Sequence, residues 1–130
     1  MKTLALTLAA VMTLVAQALI AQEGHPLSGS WHGQWTNGTQ KNNVVLFLRW
    51  ESNNIVGTIN PGPNAVPIKN SSVDATNWAV RLEGEGKDKA GKEVRVVIEG
   101  KIDKLGSYNR TLTGTWTQGA VKGELQAIRD

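Results

Sequence analysis

The feature that most constrains this chain is a recurring glycine, variable residue, tryptophan triplet: Gly29-Ser30-Trp31, Gly33-Gln34-Trp35 and Gly114-Thr115-Trp116. Each copy lies in a stretch whose alternation puts the tryptophan on the apolar face of a β-strand. Glycine inside a strand weakens it unless backbone or a large side chain needs the space, and three indoles on one phase imply a common interior. Together they predict a small closed β-barrel with tryptophan inside. Such a barrel either fills itself with side chains or keeps room for one small ligand.

The first residues do not belong to that fold. Lys2 gives a positive start, Leu4 to Ala16 is an apolar run broken only by threonines, and Ala16-Gln17-Ala18 supplies small residues for a cut after position 18. A cut after Ala21 fits as well, because Gln22 and Glu23 open a polar mature start. The pattern predicts a secretory signal peptide over 1–21, shorter than the ~20 apolar residues of a spanning helix, and therefore an exported chain, periplasmic or extracellular, with no membrane segment once mature. About 110 residues remain, 22–130, enough for a single domain.

Loss of Lys2 lowers the formal charge from +3 to +2, and the cations alternate with acids (Arg81/Glu83, Arg95/Glu99, Lys122/Glu124). A basic nucleic-acid footprint is not expected. The chain has no cysteine, so neither disulfides nor a thioether lipid anchor hold it. The sequons at Asn37, Asn70 and Asn109 read as chance matches in polar turns.

From residue 26 onward no helical periodicity is sustained, whereas period-two alternation punctuated by Gly or Asn recurs about every ten residues. Eight strands are predicted. The first, 28–36, places Trp31 and Trp35 inward and His32 and Gln34 outward, before a turn at Asn37-Gly38. The second, 43–51, has Val44, Leu46, Leu48 and Trp50 inward, with Val45 and Phe47 making the outer face apolar too. Asn53-Asn54 is the expected hairpin before a third strand over Ile55 to Asn60. A short fourth strand, 65–69, contains Pro67, which suits only an edge or irregular segment.

Asn70 to Asn77 reads as a polar connection. Trp78, Val80 and Leu82 then face inward from a fifth strand ending at Glu83, with a charged turn over 84–92. The sixth strand, 93–103, alternates Val94, Val96, Ile98, Gly100 and Ile102 against Arg95, Val97, Glu99, Lys101 and Asp103. Leu112, Gly114 and Trp116 belong to the seventh, and Val121 to Arg129 to the eighth after a Gly119-Ala120 turn. The fold expected is all-β, an eight-stranded antiparallel up-and-down meander barrel. Its inward glycines accommodate indoles on the opposite wall, or simply accompany sheet twist.

A chain that opens with Gly29-Ser30-Trp31 and ends its last strand with an inward basic residue, Arg129, resembles the calycin superfamily of lipocalins, fatty-acid-binding proteins and avidins. The resemblance implies that Trp31 packs at one barrel end against Arg129, a cation over an indole face. The short loops look most like an avidin. The inward polar groups of the avidin biotin site, including an aspartate near the last strand, have no counterpart here, so biotin binding is not implied.

No arrangement of residues points to catalysis, a cofactor or a metal. The two histidines, His25 in the leading segment and His32 on an outward phase, share no ligand spacing, and no serine elbow or phosphate loop occurs. The expectation is a non-enzymatic binding protein. Trp35, Trp50, Trp78 and Trp116 are the candidate walls of a pocket for a small apolar or aromatic ligand, with Trp31 and Arg129 closing the other end. The alternative is a filled barrel acting as an interaction, inhibitor or assembly module, with Val45, Phe47 and Val97 as candidate contacts for a protein partner.

Overall fold

The computed structural model describes residues 25–87 and 90–130. The predicted signal peptide lies outside them. Eight strands follow one another: β1 (Gly29–Asn37), β2 (Gln40–Glu51), β3 (Asn54–Ile59), β4 (Val66–Asp74), β5 (Ala79–Lys87), β6 (Glu93–Asp103), β7 (Thr111–Gln118) and β8 (Val121–Arg129). Each pairs with the next, and β8 closes on β1, so the sheet is an antiparallel up-and-down closed barrel.

Alternation sets which face each strand buries. In β6, Val96, Ile98 and Ile102 are buried while Arg95, Glu99 and Lys101 are exposed, and the strand bounds agree with the sequence reading. The same phase buries Trp31 and Trp35 of β1, Leu46 and Leu48 of β2, Leu82 of β5, Leu112 and Trp116 of β7, and Leu125 and Ala127 of β8. The interior is apolar throughout: among the described residues no polar or charged residue is buried. Loss of water from these side chains drives closure, at about 25 cal/mol per Å² of apolar surface.

Two hairpins lie one residue from their expected places. Asn37 pairs with Gln40, leaving Gly38-Thr39 as the loop, and Gly38 takes φ 62° at its first position. Glu51 pairs with Asn54, so the next loop is Ser52-Asn53, with φ of 51° and 65° as a type I′ turn requires. Gly119-Ala120 is the two-residue turn the sequence predicts, with Gly119 at φ 61°.

The fourth and fifth strands correct the sequence reading. β4 runs on to Asp74, through residues whose polarity predicts a connection, and β5 includes Gly84 and Gly86, where the sequence predicts a turn. The β3–β4 ladder is short, with Thr58↔Pro67 and Ile59↔Val66 as its register pairs, and the β4–β5 ladder shifts register between Ile68 and Asn70. Beyond it the Ser71 hydroxyl accepts the Ile55 N–H at 2.9 Å, standing in for a ladder bond. The polar sequence here is a strand whose hydroxyl completes the wall.

The inward glycines answer mainly to the neighbouring strand. A Cβ on Gly33 would lie 1.9 Å from the Gln126 carbonyl oxygen, and one on Gly114 would lie 2.0 Å from that of Glu99. At Gly123 a Cβ would also meet an indole, that of Trp35. Close backbone approach at the tightly coiled wall explains most of the repeat.

Candidate functional site

The barrel has two chemically different ends. At one lie the β1–β2, β3–β4, β5–β6 and β7–β8 connections. At the other lie the three remaining connections, residues 25–28 and Asp130. The tryptophans divide between them. Trp35, two residues before the end of β1, and Trp116, two before the end of β7, stack in the interior at 5.4 Å between centroids and 9° between planes. The Trp116 indole N–H donates to Gln118 Oε1 at 3.2 Å.

Trp50 and Trp78 are at the opposite end. Trp50 shares the phase of Leu46 and Leu48 but stands at the lip of β2, 41% exposed. Trp78 precedes β5, half-buried, at φ 55°. The structure therefore brings the four candidate pocket residues together as two pairs rather than one wall. The second pair meets a residue that the sequence places in the leading segment: the His25 imidazole stacks on Trp50 at 4.2 Å and 10°, and makes a T-shaped contact with Trp78 at 5.8 Å and 70°.

His25 is held from the backbone side as well. Its Nδ1 accepts the Leu27 N–H at 3.2 Å, so that nitrogen carries no proton, and burial lowers its pKa from the ordinary 6.5. The following residues plug the barrel end. Leu27 is fully buried, and three successive carbonyls of this segment accept from three side chains. Arg110 donates to Pro26 O at 3.4 Å, the Trp31 indole N–H to Leu27 O at 2.8 Å, and Arg129 Nε to Ser28 O at 2.8 Å.

Trp31 and Arg129 are thus direct register partners on β1 and β8 that both hold the same turn. The cation–π contact expected between them is instead made with Tyr108, whose ring lies 5.6 Å from the Arg129 guanidinium carbon. The Trp31 indole spends its polar edge on Leu27.

A cavity of about 600 Å³ lies outside the wall, where β7, β8, β1 and β2 run side by side. The register aligns Asn43, Gln34, Gln126 and Thr113 in one outward row and Val45, His32, Ile128 and Thr111 in the next. Gln34 Nε2 donates to Asn43 Oδ1 at 3.4 Å, and His32 pairs with Asp130. Beside the groove Phe47 is 47% exposed and Ile128, within it, 45%. Comparisons with protein-family models, curated proteins and solved structures give no match for this chain.

Val97 stands apart from this face. It lies on β6, four strands from β2 in either direction around the barrel, beside Arg81, Arg95 and Glu99. Arg81 there pairs with Glu99 and donates to Glu83 at 2.6 Å, and the guanidinium's hydrogen bond holds the Glu83 carboxyl below its ordinary value. The three proposed partner contacts therefore form two separate surfaces. Among the described residues no group of three or more His, Cys, Asp or Glu converges as a metal site, and no helix is long and apolar enough to cross a membrane.

Proposed function

We propose that this chain is an exported, non-enzymatic binding module whose partner docks on the outer β8–β1–β2 face of a filled barrel. One observation carries the reading: the interior is occupied by its own apolar side chains, with Trp31, Leu46, Ile59, Leu82, Ile98 and Leu112 at 0% exposure, while the 600 Å³ groove and the exposed Phe47 and Ile128 lie outside. Large apolar side chains left wet around a groove lined by amides and hydroxyls match the composition of a protein-binding surface. A ligand held within a tryptophan-walled lumen has less support, because Trp35 and Trp116 occupy each other's faces.

The signal-like segment motivates export, and outward charges such as Arg49, Arg81, Glu99 and Lys101 favour water over lipid around the wall. The calycin resemblance finds support in Trp31 and Arg129, which secure the barrel end through the turn they share. A closed barrel offers no edge strand, so the contact is face to face.

The test is the paired variant Phe47→Ser/Ile128→Ser, compared with Val97→Ser on the far side, in chemical cross-linking from the native compartment and in sedimentation velocity. The paired variant should lose partner capture or self-association at unchanged fold, since exposed substitutions shift stability by about 0.5 kcal/mol or less. Behaviour identical to the unmodified chain would remove this face from the function.

A further inference from the structure

The terminal end of the barrel carries a second site, independent of the outer face. Trp50 and Trp78 come from different strand ends, and a single ring, that of His25, fills the space between them, face-on to one indole and edge-on to the other. Two features set this cluster apart from core packing. Trp50 is 41% exposed, so its indole lies at the surface instead of in the interior. Trp78 holds φ 55°, a conformation rare for a bulky residue, which the Ile102 N–H fixes by donating to the Trp78 carbonyl at 3.1 Å. Backbone strain of this kind concentrates at ligand clamps and persists only where neighbouring contacts enforce it.

The occupant is the chain's own. Residues 26–28 are clasped by Arg110, Trp31 and Arg129, whereas His25 precedes the clasp and is held by its ring contacts, the one hydrogen bond from Leu27 and the turn bond from Ser28 N–H to its carbonyl. His25 belongs to none of the eight strands, so turning its side chain out of the slot requires no change in the barrel ladder. The vacated space is then bordered by one indole parallel to the departing ring and one steeply inclined to it, the stacked and T-shaped arrangements in which aromatic rings pair favourably.

We propose that Trp50 and Trp78 form a binding slot for a planar aromatic ring, and that His25 is its tethered, displaceable occupant. The ring arrives either as a small molecule or as an aromatic side chain of a peptide. The recognition chemistry is the same for both.

The experiment is an NMR titration that follows the indole N–H signals of the five tryptophans, assigned by single Trp→Phe variants, in the intact chain and in His25→Ala. Benzimidazole is the small-molecule probe and a short histidine-containing peptide the second. In His25→Ala, benzimidazole should shift the Trp50 and Trp78 signals saturably, at a concentration at least tenfold below that needed in the intact chain, and Trp50→Ala/His25→Ala should abolish the response. A peptide that saturates the same two signals at lower concentration than benzimidazole identifies the side-chain source; the reverse order identifies the small molecule. Equal midpoints for intact chain and His25→Ala would overturn the tethered-occupant assignment. Absence of a saturable shift in folded His25→Ala with either probe would overturn the slot. Neither result bears on the Phe47 and Ile128 face, which lies outside the wall.

Discussion

Trp31 shows how much one side chain carries here. It is fully buried, it donates to Leu27 O, and its register partner Arg129 donates to the next carbonyl, that of Ser28. Trp31→Ala removes the ring and the hydrogen bond together, and thermal or urea unfolding should show a loss of about 3–5 kcal/mol. Arg129→Ala should cost about 1.5–3 kcal/mol, the range for a hydrogen bond from a charged donor, with the packing of its stem acting in the same direction. Because both hold one turn, freeing that turn by either change weakens what the other contributes, so the double mutant should lose less than the sum of the singles. Strict additivity would show that the turn does not couple them.

At the scale of the strand, glycine placement makes the sharpest claim. Gly33 sits where a Cβ would lie 1.9 Å from the Gln126 oxygen, so Gly33→Ala must push β1 from β8 at the seam that closes the barrel. A loss of about 1–3 kcal/mol is expected, the cost of forced overpacking. Gly106→Ala, in the β6–β7 connection with open space around it, is the control and should be neutral or slightly stabilising. Chemical denaturation of the two variants side by side checks both.

Strand existence was legible because burial on one face imposes a two-residue period, and β6 is readable to its last residue for that reason. β4 was not, since Asn70, Ser71 and Ser72 resemble a turn until Ser71 is seen to bond across to Ile55. For the candidate site, phase was legible and height was not. Alternation gives Trp50 the same direction as Leu48, but only the register of β2 against β3 shows that it stands at the lip. His25 has no periodicity to betray it, because it is placed by docking against two distant indoles.

Taken as one molecule, the barrel links its stability to proton binding through that same end. Burial beside Trp50 holds the His25 pKa below 6.5, so the unfolded chain binds this proton more readily than the folded one. The His25 contribution is then present above pH 6.5 and is lost as the pH falls from there through the lower folded-state pKa. Melting temperatures between pH 8 and pH 5 should fall more in the unmodified chain than in His25→Ala. A parallel fall in both would assign the effect to other groups.

The clasp also determines when the molecule comes into being. Arg129 and Ser28 are 101 positions apart, and the Asp130 N–H donates to Ser30 O at the same seam. Neither bond exists until β8 has been synthesised, and the entropy of closing so long a loop is spent before the contacts return it. While the earlier strands are being made the wall therefore still lacks its seam, and the barrel becomes a closed body only when its first and last strands meet.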